Sequence, residues 1–161
     1  MITVCNVRDT LRFRFGSDLV NSPGFSEGLV RLLQSYTPSR DTFITLSRKM
    51  EDYLFNALYN RLGPEMTYRL DDGSFRRIHM SELPSAADEA LYPLFASLKP
   101  YSVHYDQLHS FWMETGSFSA MRALYIHFHD FLPDQERSWI ERIARENLPP
   151  ALLESWLTEK G

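Results

Sequence analysis

Between Asp41 and Leu62 the apolar residues recur with a period close to that of an α-helix. At 100° per residue, Phe43, Leu46, Met50, Tyr53, Leu54, Ala57 and Leu58 share one face, and Ile44, Phe55, Tyr59 and Leu62 widen it on one flank. The resulting arc is roughly 200° wide, against the ~100° of a helix lying on a surface, so neighbours are expected on two sides. Arg48, Lys49, Asp52 and Asn56 form the narrow polar face. At ~1.5 Å per residue the segment runs about 33 Å, the diameter of a small domain, and the remaining elements are expected to pack around it.

Upstream the pattern changes. Ile2 to Val7 is short and β-branched, and Thr10 to Phe15 alternates Leu11, Phe13 and Phe15 against Thr10, Arg12 and Arg14. That predicts a hairpin turned at Arg8 and Asp9, with one apolar and one cationic face. Gly16 to Gly24 reads as a loop, and a helix starting near Phe25 or Ser26 buries Leu29, Val30 and Leu33. Beyond Pro38, Ser39 or Asp41 offers a cap to the long helix, which Gly63 and Pro64 stop. Met66 to Leu70 and Phe75 to Met80 flank Asp71, Asp72, Gly73 and Ser74, the clearest hairpin signal in the chain.

The second half reads as helices. Ser85 with Asp88 resembles a capping box for a helix reaching Leu94 and Phe95, which Pro93 is expected to end or kink. Ser102 opens a helix that buries Tyr105, Leu108, Phe111 and Trp112. Ser117 caps one with Met121, Leu124, Tyr125, Phe128, Phe131 and Leu132 on one face. After Pro133, Trp139, Ile140, Ile143 and Ala144 form the buried side of a helix whose outer side pairs Glu141 with Arg145 and Arg142 with Glu146. Leu152, Leu153, Trp156 and Leu157 mark a last helix after Pro149 and Pro150. The prediction is one domain, residues 1–161, predominantly α in an α+β fold: six or seven helices around the long one, with one or two short β-hairpins.

Composition narrows the function classes. A chain of 161 residues, 43% hydrophobic and 24% charged, is long enough to bury a core without staples. A net charge of −4 gives no general attraction to phosphate backbones, so nucleic-acid binding needs a locally basic face. The single Cys5 excludes an internal disulfide and multi-cysteine zinc sites, and reads as a core residue rather than a nucleophile. No run of 18 apolar residues occurs and no apolar stretch of signal-peptide length opens the chain, so a cytoplasmic protein with no membrane partner is expected.

Candidate chemistry centres on the histidines. His104, Asp106 and His109 precede His127, His129 and Asp130 on what reads as an antiparallel helix pair, so the two groups approach each other. Residues two apart on a helix diverge by about 160° and residues five apart by about 140°, which leaves neither histidine pair with the spacing that shares an ion. No metal and no cofactor are therefore expected. The dipeptide His129-Asp130 resembles the core of the helical HD phosphohydrolases, in which the pair works with a separate His and Asp; here those would be one of His79, His104 or His109, and Asp134, a free choice that no spacing fixes. Arg122 and His127 resemble the Arg-x4-His of helical HEPN ribonucleases, in which arginine steadies phosphate and histidine does acid-base work, although Ala123 stands where that family carries a polar residue. Gly116 between two helices also resembles a helix-turn-helix turn, but Trp112 and Ser117 fit its packing positions poorly. No nucleophile elbow, phosphate-binding glycine loop or dinucleotide fingerprint is present.

Arg12, Arg14, Arg69, Arg76 and Arg77 form the local basic cluster, suited to phosphate or to an acidic partner. Surplus aromatic residues, among them Tyr59, Trp112 and Trp156, suit a contact patch or a self-association surface. The reading is a non-catalytic protein-interaction module, an adaptor or inhibitor of a larger cytoplasmic machine, whose partner is another protein or a second copy in a homodimer. Its partner-binding residues are Arg69, Arg76, Arg77, Tyr59, Trp112 and Trp156. The alternatives are a helical nuclease or metal-dependent phosphohydrolase using Arg122, His127, His129 and Asp130, and a nucleic-acid binder using the hairpin arginines.

Overall fold

The computed structural model describes residues 4–37, 40–98 and 102–159. The expectations placed on Ile2, Pro38, Ser39, Lys99 and Pro100 lie outside the described residues. Nine α-helices and one two-stranded ribbon are present among the described residues, so the fold is all-helical and the α+β prediction is corrected. The chain forms two compact units, Met1–Pro93 and Leu94–Gly161.

The predicted first hairpin is a helix, α1 (Val4–Phe15). Val7, Leu11 and Phe15, four apart, bury as one stripe, each no more than 1% exposed. Arg8 and Asp9, assigned to a turn, lie inside the helix because neither supplies the left-handed backbone that a tight hairpin needs. Gly16 does supply it, at φ 87, and its N–H closes the helix on the Arg12 carbonyl. The supposed loop then holds a single turn, α2 (Ser17–Val20), before α3 (Phe25–Ser35).

The long helix, α4, runs Phe43–Leu62 and packs against α2 and α3. Its fully buried positions are Phe43, Leu46, Met50, Leu54 and Leu58, a narrower stripe than the predicted belt, whose flank residue Tyr59 is 46% exposed. Thr42 is the cap, accepting from Thr45 N–H, while Asp41 accepts from Thr37 N–H at 2.8 Å and closes the preceding turn. Gly63 ends α4 at φ 75 with its N–H on the Tyr59 carbonyl.

Strands β1 (Thr67–Arg69) and β2 (Phe75–Arg77) pair antiparallel, Thr67 opposite Arg77 and Arg69 opposite Phe75. Three residues a side make a ribbon, not a sheet layer. Buried Met66 and Ile78 anchor its base through Ile78 N–H to the Met66 carbonyl, and Ser17 N–H and hydroxyl donate to Asp71 at its tip. A 3-10 turn, Met80–Glu82, leads into α5 (Leu83–Ser97), which starts before Ser85 and continues through Pro93.

In the second unit, α6 (Ser102–Thr115) and α7 (Phe118–His127) are joined at Gly116, and the Ser117 hydroxyl accepts from Ala120 N–H at 3.0 Å. Helix α7 stops at His127 instead of reaching Leu132, and His129–Phe131 forms a separate 3-10 turn. Helices α8 (Asp134–Asn147) and α9 (Pro150–Glu159) pack against α7 and against each other. No helix among the described residues is long and apolar enough to cross a membrane.

Candidate functional site

Alternation along the ribbon sorts its side chains. Phe75 and Arg77 share one face, and the cross-strand register puts Arg69 and Thr67 beside them. All four are exposed, Phe75 by 73% of its surface, an unusual position for a phenylalanine. Arg76 points to the other face, where its guanidinium meets Glu82 at 2.8 Å. Arg69 and Arg77 have no hydrogen bond or ion pair among the described residues.

Beside the ribbon the end of α4 supplies Phe55 and Tyr59, whose ring centroids are 5.9 Å apart. A shallow cleft of about 330 Å³ opens there between Phe55, Tyr59, Met66, Arg77, His79 and Met80. Tyr59 and Arg77, predicted from separate segments, thus line one cleft. Arg12 and Arg14 do not join them as strand residues. They lie on α1, where Arg12 pairs with Asp9 at 3.3 Å and Arg14 with Glu89 at 2.5 Å. Cys5 also lies on α1, and the expectation for its side chain falls outside what the structure describes.

His109 and His129 make local contacts. His129 sits in the 3-10 turn with its Nδ1 3.2 Å from the Tyr125 carbonyl and its ring edge-on to Tyr125. That bond makes Nδ1 the donor and leaves Nε2 as acceptor, 3.5 Å from an Arg137 nitrogen. Arg137 in turn donates to Asp134 at 2.6 Å. His109 Nε2 lies 2.7 Å from Glu136 on α8, and its ring meets Tyr105 and Trp112. His127 is exposed at the last residue of α7, and Arg122 holds its guanidinium 6.0 Å from the Trp156 ring centroid. At five residues' separation these two side chains diverge by about 140° around α7. Asp130 is exposed in the turn, Asp106 is exposed on α6, and His104 is half-buried there. No group of three His, Cys, Asp or Glu that could hold a metal ion occurs among the described residues.

Of the tryptophans predicted to make contacts, Trp112 is 5% exposed and Trp156 3% exposed. Trp156 is enclosed by Phe118 and Tyr125, with ring centroids at 5.4 and 6.2 Å. The exposed tryptophan ring is Trp139, at 44%, which the periodicity assigns to the core and whose centroid stands 5.2 Å from that of Trp112. Phe75 is exposed because it stands on a short ribbon rather than a broad sheet, and Met80 is exposed at the first residue of the 3-10 turn. Burial above all, then the hydrogen bond to Glu141, raises the Tyr125 hydroxyl far above its ordinary range. Ser17, through its backbone N–H first and its hydroxyl second, holds the Asp71 carboxyl below the usual range.

Comparison with known proteins finds no family model, no curated protein and no solved structure that matches this chain.

Proposed function

We propose that this protein is a non-catalytic interaction module, an adaptor or inhibitor of a larger assembly, that takes an acidic segment of another protein onto the ribbon face. The observation that carries the reading is Phe75, a large apolar side chain exposed to water with Arg69 across the ribbon and Arg77 two residues along, neither arginine side chain having a hydrogen bond or ion pair among the described residues. Tyr59 and Met80 extend the apolar surface along the adjoining cleft.

Magnitudes assign the roles. Burying a phenylalanine contributes about 1.5–3 kcal/mol, whereas a rim ion pair is worth about 0–1 kcal/mol. Phe75 therefore supplies affinity, and Arg69 and Arg77 select an acidic partner and steer it. The outer edge of β2 has no partner strand among the described residues, so an extended segment can add backbone hydrogen bonds there, whereas Gly16 lies against the Arg69 carbonyl of β1.

The test is affinity capture from the native cell with the wild-type chain, Phe75→Ser and Arg77→Glu, followed by reconstitution with the purified captured protein. Each substitution lies on an exposed position and should lower affinity about tenfold or more with the fold unchanged. Equal capture by all three chains would overturn the reading. So would phosphodiester cleavage by the purified chain that disappears in His127→Ala.

A further inference from the structure

We propose that a second cleft, between α3 and α4, binds the phosphate group of a small phosphomonoester. The cleft measures about 340 Å³, at the small end of ligand-binding sites, which span roughly 300–1,000 Å³. Arg31 from α3 and Arg61 from the last turn of α4 line it together with the carboxamides of Asn56 and Asn60. Two guanidinium groups and no carboxylate are found among its described lining residues, in a chain whose overall charge is −4.

Both arginines are uncommitted. Neither guanidinium makes a hydrogen bond or ion pair among the described residues, although Glu27 stands four residues before Arg31, the spacing at which helical ion pairs close. Guanidinium forks and carboxamide N–H groups are the donors that phosphate oxygens accept from. The floor is different. Phe25 and Tyr53 pack there with ring centroids 5.6 Å apart, and the Tyr53 hydroxyl donates to the Phe25 carbonyl. An apolar, aromatic floor under a cationic rim suits a phosphate attached to a flat organic body better than a bare anion.

This site is separate from the ribbon face and does not depend on that reading. Tyr53, Asn56 and Asn60 lie on one side of α4, and Phe55 and Tyr59 lie about 200–240° round from Tyr53.

The experiment is a titration of the full ¹⁵N-labelled chain with adenosine monophosphate and, separately, with inorganic phosphate, followed by amide shifts. Saturating shifts centred on Gly28, Asn56 and Asn60 are expected with the nucleotide. Arg31→Gln and Arg61→Gln should each weaken binding about tenfold, and Arg48→Gln, an exposed arginine of α4 outside the cleft, should not change it. Equal saturation by inorganic phosphate would identify the free ion as ligand and overturn the phosphomonoester assignment. No saturation with either probe, or binding that Arg31→Gln and Arg61→Gln leave intact, would overturn the proposal.

Discussion

Gly28 is required by its neighbour. A Cβ at that position would stand 2.6 Å from Tyr53 Cε2 and 2.9 Å from its hydroxyl oxygen, so the ring of α4 rests directly on the backbone of α3. Glycine inside a helix costs about 1 kcal/mol relative to alanine, and overpacking a core costs about 1–3 kcal/mol. The second term wins: Gly28→Ala should lower stability despite its better helix propensity, a shift that urea denaturation reads directly, and a variant as stable as wild type contradicts the contact. Tyr53 itself titrates unusually. Burial first, opposed by Arg31 and reinforced by Glu27, pushes its hydroxyl up from 10.0 to about 12. A raised value means that the folded chain holds the proton longer than the unfolded one, so this contribution is whole below pH 10 and is lost as pH rises from 10 to about 12. The urea midpoint of the wild type should therefore fall more steeply across that window than that of Tyr53→Phe. The Tyr125 contribution remains in both, and parallel curves would show that Tyr53 titrates normally.

At the scale of elements, legibility followed how many independent signals agreed. Helix α4 had a long period, a Gly-Pro stop and a capping residue within one position of the observed Thr42, and it was readable almost to its ends. In α1, Val7, Leu11 and Phe15 satisfy both a period of two over a short window and the i,i+4 stripe of a helix, so periodicity alone does not separate strand from helix there. The deciding clue was the turn: Asp72-Gly73 supplies hairpin chemistry and Arg8-Asp9 does not. Trp139 shows the opposite error. Its helix buries only Ile140 and Ala144 fully, and an apolar periodicity carries no mark of where the covered arc ends. Leu11→Ala should cost about 2–5 kcal/mol, as for any wholly buried leucine, and loss of under 1 kcal/mol in denaturant unfolding would contradict its place in the helical stripe. Ser117→Ala removes the hydroxyl that accepts from Ala120 N–H and should cost about 1 kcal/mol, which Ser117→Thr should largely restore.

For the whole molecule the balance is between local and global charge. The chain carries −4 overall, yet the ribbon exposes Arg69 and Arg77 without partners among the described residues, and acidic side chains hold Arg12, Arg14 and Arg76. Of the predicted five-arginine cluster, Arg69 and Arg77 are thus the two without a partner among the described residues, beside apolar side chains. An acidic protein partner feels attraction at short range and repulsion from the rest of the molecule at long range. The Debye length is about 10 Å at 0.1 M salt, so added salt screens the distant repulsion along with the near attraction. The affinity of the partner should therefore change less than about tenfold between 50 and 200 mM salt, because Phe75 supplies most of it. A nucleic-acid ligand behaves differently: it contributes a salt slope of about −0.9 per neutralised phosphate, and six or more contacts cost at least about a thousandfold over that range. Fluorescence anisotropy with the captured partner and with a labelled duplex, each across that salt series, separates the two readings. Tight, steeply salt-dependent duplex binding, lost in Arg69→Gln with Arg77→Gln and retained in Phe75→Ser, would transfer the face from protein to nucleic acid.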